Sequence, residues 1–304
     1  MCRYESFYGN DFSLATMSLR ISIGMPTFNR LPHLKEAVEG VLKQTAKHFE
    51  FVVVSDGSSD GTDEWMETVN DPRLRYIALP RSGPPAPLNR ILEETTGEYL
   101  IILHDHDIFH PTLVERLAQV LDDYPSAGFA MPGSTTVGLD GKSNPRRVIH
   151  EEIGIYNKGR PYFDAFLKQK TFSSIFHACS MVRRSIFDQV AGRYEASYGI
   201  FGDVDIWLRL LRDHGFCYLQ DDLIHFRERD SGHFLVGRQA YVLGVLYRIS
   251  RDNASLAFSS TQLSHTEREL LVKYRANLIE SAQATFVRMR WKESMQCMQA
   301  WWKT

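Results

Sequence analysis

The sequence lacks several features that would mark other classes of protein. It has four cysteines in 304 residues, and no two of them form a CxxC pair. Their scarcity argues against a disulfide framework or a zinc knuckle and favours a reducing, cytoplasmic setting. Basic and acidic residues nearly balance, at 35 and 37, so we expect no nucleic-acid partner. No apolar run is long enough to span a bilayer, and no secretory signal opens the sequence.

One familiar nucleotide-binding motif is also missing, because no G-x-G-x-x-G follows the first predicted strand. Apolar residues make up 43% of the chain, which is ordinary for a globular protein with a sizeable core. Short apolar runs alternate with segments of helical periodicity from residue 20 to residue 131. This alternation predicts an α/β fold with a doubly wound, mostly parallel sheet of the Rossmann-like kind.

The most informative stretch is residues 99–111, YLIILHDHDIFHP. Its apolar start predicts a buried strand, and its polar end places His104, Asp105, His106 and Asp107 at the carboxyl edge of the sheet. Ligands of open α/β sheets bind at that edge. Two carboxylates flanking an imidazole could hold a divalent cation that neutralises a diphosphate. The alternative is an ordinary polar loop that leads into the next helix.

Two further aspartates stand at predicted strand or helix ends. Asp56 follows the second predicted strand, where it could bind a base or ribose, or simply form an Asx turn. Asp203 opens a predicted helix and could act as a base on a hydroxyl, or cap the helix. Asp205 and Arg209 lie four residues apart on that helix, which predicts a surface ion pair. Together with residues 104–107, the two aspartates suggest a nucleoside-diphosphate site.

Four segments, in this order, resemble motifs of the family 2 glycosyltransferases. They are residues 26–30 (PTFNR), the acidic glycine loop 53–62 (VVSDGSSDGT), the metal-binding strand end 103–111 (LHDHDIFHP) and the helix start 202–209 (GDVDIWLR). The resemblance covers about residues 20–235 and implies a GT-A fold. It also implies the inverting transfer of a sugar from a nucleoside-diphosphate sugar, with a UDP-sugar favoured. The implied acceptor is a hydroxyl of a glycan or lipid-linked molecule, in the synthesis of surface polysaccharide.

The resemblance assigns roles to individual residues. Asp203 would be the general base, and Mn²⁺ or Mg²⁺ would be the cofactor. The metal would be held by Asp105, His106 and Asp107, with His233 added from the loop after the last strand. The residues expected to contact the nucleotide sugar are Pro26, Thr27, Asn29, Arg30, Asp56, Asn89, Arg90, Asp105, Arg227 and Arg229.

The sequence departs from the family pattern at three positions. Ser55 replaces the first member of an acidic pair, and Gly202 replaces the acid before Asp203. His106 stands where the family has a metal-ligating acid, and a neutral imidazole there favours Mn²⁺ over Mg²⁺, unless Asp107 takes the role. These departures keep open a second interpretation, a non-catalytic nucleotide- or glycan-binding protein on the same fold. A nucleotidyltransferase would instead show a glycine-rich basic loop after the first strand, which PTFNR is not.

We expect three regions along the chain: a leader over residues 1–18, a GT-A domain over 19–235 and a helical extension over 236–304. The extension ends in basic and aromatic residues, which suits either a helix packed on the protein or a peripheral contact with the inner face of a membrane. The sequence leaves homo-oligomerisation open. The acceptor is expected to dock on residues 146–198, where four side chains could stack on a sugar: Phe172, Phe176, His177 and Tyr198.

Overall fold

A computed structural model describes residues 20–138, 142–145, 155–168, 179–227, 239–287 and 295. Within these residues, ten strands form one sheet. The strands are β1 (Ile21–Thr27), β2 (Phe49–Asp56), β3 (Leu74–Leu79), β4 (Tyr99–Ile102), β5 (Ile108–Phe109), β6 (Ala127–Val137), β7 (Ser143–Pro145), β8 (Tyr156–Asn157), β9 (Met181–Arg183) and β10 (Gly215–Arg227). The helices are α1 (Leu31–Leu42), α2 (Thr62–Met66), α3 (Ala86–Glu94), α4 (Leu113–Asp123), α5 (Gly159–Lys168), α6 (Arg184–Val190), α7 (Gly202–Asp213), α8 (Gln239–Ala257) and α9 (Ser260–Val287), and a 3₁₀ helix (Ala196–Phe201) precedes α7.

The strand order fixes where a ligand can bind. Along the sheet the order is β3-β2-β1-β4-β9-β6-β10-β5, with β7 beside β6 and β8 beside β10. Strands β3, β2, β1 and β4 run parallel, and β9 is inserted antiparallel between β4 and β6. The chain moves outward from β1 to β3 and then returns to place β4 on the other side of β1. The carboxyl ends of β1 and β4 therefore meet at a topological switch point, where open α/β sheets bind ligands.

Apolar residues cover both faces of the central strands. Strands β1, β2 and β4 are short, almost wholly buried apolar runs, as parallel strands with helices on both faces require. On one face, α1 buries Leu34, Val38 and Val41 at helical spacing together with the apolar side of α4. On the other face, α6, α7 and α8 enclose a second cluster that includes Phe129 and Trp207. The predicted α/β class with a mostly parallel sheet is confirmed.

The structure corrects the sequence-based elements at several points. Strand β1 continues through Pro26 and Thr27, although a proline and a polar residue after an apolar run predict a loop there. The short apolar runs 217–219 and 223–226 predict two strands, but both belong to the single strand β10. Pairing with β6 continues across them because register shifts between Leu219 and Ile224 absorb the intervening polar residues as bulges. The two-residue strand β5 was not predicted, since it lies inside the polar stretch that follows β4.

The C-terminal helices pack on the helix that carries the candidate base. Asp205 on α7 is buried, forms an ion pair with Arg209 at 3.0 Å and accepts a 2.7 Å hydrogen bond from Asn253 Nδ2 on α8. The prediction of a surface ion pair for Asp205 is therefore wrong, because α8 covers it. Tyr198 is also buried, and its hydroxyl donates to Asp252 at 2.8 Å, so its ring is not free to stack on a sugar.

Several expectations fall outside the described residues, namely the leader, the basic-aromatic end of the chain and Phe172, Phe176 and His177. Among the helices that the structure describes, none combines the length and the apolar character needed to cross a membrane.

The buried polar link between α7 and α8 predicts a large stability effect. Replacing Asp205 by Ala leaves Arg209 and the Asn253 amide without their carboxylate partner in a buried position. We expect Asp205→Ala to lower the free energy of unfolding by about 3 kcal/mol, measured by urea denaturation. The matched control is Asp213→Ala at the exposed end of the same helix, expected within about 0.5 kcal/mol of wild type. Equal effects in the two variants would contradict this role of Asp205.

Candidate active site

Asp105 is the junction between the ends of β1 and β4. Its carboxylate is buried and accepts hydrogen bonds of 2.8 Å from Thr27 Oγ1 and from Arg30 Nη1. His106 Nδ1 lies 2.9 Å from Asp105 Oδ1. Burial by itself would raise the pKa of Asp105, but the hydrogen bond with His106 and the charge of Arg30 outweigh it and hold this pKa at about 2. Asp105 is thus an ionised carboxylate whose two oxygens already bind the protein.

Asp107 organises the next part of the edge. Its Oδ2 lies 3.0 Å from His104 Nδ1, and its Oδ1 accepts a 3.1 Å hydrogen bond from the backbone N–H of Arg227. His106 Nε2 is 3.7 Å from the same Oδ1, and the rings of His104 and His106 stack with centroids 5.1 Å apart. Cys179, just before β9, completes a group with His104 and Asp107 in which one potential ligand atom from each lies within 4.8 Å of the others.

This donor set can accommodate a divalent cation. A carboxylate oxygen, an imidazole nitrogen and a sulfur suit first-row transition metals better than Mg²⁺, which prefers oxygen ligands in an octahedron. The oxygens of Asp105 point instead to Thr27 and Arg30. Burial raises the pKa of the Cys179 thiol, and the nearby Asp107 raises it further. The Cys179 thiol therefore has to lose its proton before its sulfur can join Asp107 and His104 as a ligand of a cation.

A second part of the site lies at the end of β2. Asp56 is buried and accepts hydrogen bonds from the backbone N–H groups of Ser82 at 2.7 Å and Gly83 at 3.0 Å. Asp56 also forms an ion pair with Arg81. The Arg81 guanidinium lies 3.7 Å from the centroid of the Phe28 ring, which is partly exposed. This corner thus combines an aromatic face, a carboxylate and a cation, the groups that a nucleobase can stack on and hydrogen-bond to.

Asn29 ties the two loops of this corner together. Its side-chain oxygen accepts a 2.8 Å hydrogen bond from the backbone N–H of Ser59, and its own N–H donates to Ser58 Oγ at 3.1 Å. The backbone of Asn29 has a φ of 50°, a left-handed conformation that asparagine tolerates better than most residues. The PTFNR segment and the glycine loop are therefore held as one unit, with Asn29 in a positioning role.

Asp203 faces a cavity of about 230 Å³ between the ends of β1 and β4 and the start of α7. Its Oδ1 accepts a 2.9 Å hydrogen bond from the backbone N–H of Val204. Burial raises the pKa of Asp203, and the Val204 hydrogen bond and the nearby His104 only partly oppose this. Pro26, His104 and Cys179 line the same cavity. Asp203 is therefore a carboxylate of increased basicity that faces the switch point of the sheet.

The remaining predicted residues have other surroundings. The Asn89 side-chain amide donates a 3.0 Å hydrogen bond to the carbonyl oxygen of Tyr194 and accepts a 2.8 Å hydrogen bond from the N–H of Tyr194. Arg90 forms an ion pair with Glu94 on its own helix at 2.6 Å. The Arg227 side chain reaches α1, where it contacts His33 and Glu36. Arg229 and His233 lie outside the described residues.

Sequence reasoning did not include Phe28, Arg81 and Cys179 among the site residues. Phe28 belongs to the PTFNR segment, and an aromatic residue directly after a predicted buried strand is a signal that could have identified it. Arg81 and Cys179 belong to no motif, and each reaches the site through strand pairing that is distant in sequence. A single sequence offers no signal for such contacts.

The strand order and the mostly parallel sheet define the fold class as GT-A. The structure is similar to that of S. aureus TarS 1-349 in complex with UDP-GlcNAc, with a TM-score of 0.70 and 18% sequence identity. The similarity covers 92% of this chain and 79% of that one. At this identity the likeness establishes the fold, and it confirms the GT-A prediction.

The family follows from the sequence comparison. The profile described as Glycosyl transferase family 2 matches residues 22–191, and the chain belongs to this family. It is 26% identical to the uncharacterized glycosyltransferase RT0329 of Rickettsia typhi, over 71% of this chain and 66% of that protein. It is also 26% identical to the uncharacterized glycosyltransferase YwdF of Bacillus subtilis, over 64% of this chain and 69% of that protein. The chain spans about two thirds of the length of these relatives.

The Asp105 junction predicts a pH-dependent contribution to stability. A carboxyl whose pKa falls from 3.8 to about 2 on folding stabilises the native state at neutral pH by about 2 kcal/mol. This contribution is complete above the unfolded-state pKa and is lost as pH falls through the folded-state pKa. We expect Asp105→Asn to be about 2 kcal/mol less stable at pH 7, with the deficit shrinking from about pH 4 towards pH 2.

The measurement is urea denaturation of both proteins at a series of pH values. The exposed Asp188→Asn, which alters only a surface ion pair with Arg184, is the control and should stay within about 0.5 kcal/mol of wild type at pH 7. A deficit for Asp105→Asn that stays constant down to pH 2 would show that the carboxylate charge is not the cause.

Proposed function

We propose that this protein transfers a sugar from a nucleoside-diphosphate sugar to a hydroxyl of a glycan or lipid-linked acceptor, with inversion at the anomeric carbon. The observation that carries the proposal is the shared cavity. A carboxylate of raised pKa, Asp203, faces the same space as Pro26 at the end of β1 and His104 after β4. A donor bound at the strand ends would present its sugar towards Asp203.

The donor is proposed to be a UDP-sugar. TarS, which shares the fold, has been crystallised with UDP-GlcNAc, and the corner of Phe28, Asp56 and Arg81 offers what a uracil needs. The Phe28 face can stack on the base, and Asp56 can accept from an N–H on its edge once Arg81 moves. Thr27 and Arg30, which both bind Asp105, are proposed to contact the diphosphate, where Arg30 would supply a positive charge.

A divalent cation is the proposed cofactor, with Mn²⁺ favoured over Mg²⁺. Asp107 and His104 would hold it, with His106 close by. When bound, such an ion offsets the negative charge that builds on a departing diphosphate. The positive charge of Arg30 would also offset the negative charge on the departing diphosphate. His233, also proposed as a ligand, lies outside the described residues.

Asp203 is the proposed general base. As the acceptor oxygen approaches the anomeric carbon from the face opposite the diphosphate, its proton passes to the Asp203 carboxylate. The new bond joins the acceptor oxygen to the anomeric carbon, while the bond from that carbon to the diphosphate oxygen breaks. An increased pKa makes Asp203 a stronger base than an exposed aspartate, which favours proton removal from an alcohol.

The proposed setting is the synthesis of surface polysaccharide on the cytoplasmic side of a membrane. Residues 19–235 would form the catalytic domain and residues 236–304 its helical extension. Within the extension, α8 packs on α7 through Asn253 and so supports the helix whose first turn contains Asp203. Peripheral membrane contact is proposed for the basic-aromatic end of the chain.

The base assignment predicts a separation of catalysis from donor binding. We expect Asp203→Asn to lower kcat by about 100- to 10,000-fold, because general base catalysis typically contributes that much. The dissociation constant for UDP should change little, since Asp203 receives a proton from the acceptor and does not hold the nucleotide. Asp213→Asn at the far end of α7 is the control and should retain wild-type kcat. Unchanged product formation by Asp203→Asn would remove Asp203 as the base.

The donor assignment predicts selective stabilisation by one nucleotide. The melting temperature is measured with UDP, GDP, dTDP or CDP, each in the presence of Mn²⁺, Mg²⁺ or EDTA. A ligand at 100 times its Kd adds about 2.7 kcal/mol to stability, which raises the melting temperature by several degrees. We expect this increase with UDP and Mn²⁺, and a smaller one with EDTA.

Two results of that panel would change the proposal. Stabilisation by a different nucleotide would replace the donor class and leave the reaction type intact. Stabilisation by no nucleotide under any condition would contradict the donor site, and a glycan-binding protein without turnover would become the better interpretation.

A further inference from the structure

Cys179 has a backbone conformation that its residue type seldom adopts. Its φ is 75°, in the left-handed region where glycine is favoured and a side chain is strained. The residue is buried, and its backbone N–H donates to the carbonyl of Ile102, the last residue of β4, at 2.9 Å. Strained residues that the surrounding structure holds in place cluster at functional sites. The conformation of Cys179 therefore calls for an explanation beyond core packing.

The position of the Cys179 sulfur explains why this residue would be held in a strained conformation. Cys179 Sγ, a His104 ring nitrogen and an Asp107 carboxylate oxygen all lie within 4.8 Å of one another. Ligand atoms that bind one cation at about 2.0–2.3 Å in a tetrahedron lie roughly 3.3–3.8 Å apart, so the three side chains would have to close in by at most about 1.5 Å to bind one ion. The three residues come from two separate segments that antiparallel pairing of β9 with β4 places side by side.

The other described cysteine provides a comparison within the same chain. Cys217 is equally buried, but it lies near the start of β10 among apolar residues. Its backbone is not among the described non-glycine residues with positive φ, and it belongs to no group of potential metal ligands in the described part of the chain. Cys217 thus behaves as a small apolar core residue, whereas Cys179 has both the strain and the partners of a ligand.

We propose that Cys179 is a ligand of the divalent cation at this site, together with His104 and Asp107. The sulfur would favour first-row transition cations over Mg²⁺, because Mg²⁺ prefers oxygen ligands alone. Among these cations Co²⁺ and Zn²⁺ would bind such a site more tightly than Mn²⁺, which makes Co²⁺ a sensitive probe of it. This inference rests on the proposed function in one respect, that a cation is held at this edge of the sheet. Beyond the proposed function, the inference assigns metal selectivity to Cys179, a residue outside the four sequence motifs.

Binding of Co²⁺ to the purified full chain tests the inference without any assay of activity. Co²⁺ bound by a thiolate gives an intense sulfur-to-metal charge-transfer band in the near ultraviolet, whereas nitrogen and oxygen ligands give only weak visible bands. The protein used has Cys2→Ser, Cys217→Ala and Cys297→Ser, so that Cys179 is the sole cysteine. The matched control adds Cys179→Ser to these three changes.

We expect the protein with Cys179 alone to show the charge-transfer band with one Co²⁺ per chain. The band should be removed by Zn²⁺ and should persist in a large excess of Mg²⁺. The control should lack the band and bind Co²⁺ at least 10-fold more weakly. Circular dichroism establishes that both proteins are folded, and if the serine variant is not, Cys179→Ala takes its place. In either case the band of the Cys179-only protein decides the assignment.

Three results would overturn the inference. Weak visible bands without the charge-transfer band would mean that a cation binds without Cys179, and the proposed metal-dependent transfer would stand. Equal competition by Mg²⁺ would remove the selectivity assigned to the sulfur. If the nucleotide panel shows stabilisation by UDP and no Co²⁺ binds, the ligand role of Cys179 fails while the donor site survives.

Discussion

The site depends on the hydrogen bonds to the buried carboxylate of Asp105. This carboxylate accepts hydrogen bonds from Thr27 at the end of β1 and from Arg30 just before α1, and it lies within hydrogen-bond distance of His106 in its own loop. An ionised group can be buried here because each of these partners offsets its desolvation, which its low pKa reflects. The junction fixes the PTFNR segment against the end of β4. With that geometry set, the remaining edge residues can face the cavity.

Two carboxylates of the site, Asp105 and Asp203, have environments that shift their pKa values in opposite directions. Asp105 is stabilised in its ionised form, whereas burial makes Asp203 more basic. Such a separation of pKa values within one site is what allows neighbouring acids to take different chemical roles. Asp105 acts as a fixed structural charge, and Asp203 is the group suited to exchange a proton. The absence of an acid at position 202 leaves the environment of Asp203 without a second adjacent carboxylate.

The hydrophobic periodicity and the sequence motifs predicted three features: the alternation of strands and helices, the buried strand β4, and the polar edge that follows it. These features depend on neighbouring residues, whose periodicity a single sequence displays. The continuity of β10, the cover over Asp205 and the approach of Cys179 to His104 depend on pairing between distant segments. Residue types alone also could not show that Asp105 is saturated by protein partners. Its neighbours in space, Thr27 and Arg30, are more than 70 residues away.

The hydrogen bond between Asp205 and Asn253 links the C-terminal helix α8 to the part of the chain that carries the candidate site. The family profile matches residues 22–191, yet α7, which carries Asp203, follows that segment, and α8 covers the buried Asp205 on α7. The packing that supports α7 therefore extends beyond the segment that the family profile matches. In this chain, a change to α8 that removed the Asn253 amide would leave the buried Asp205 with one hydrogen-bond donor fewer.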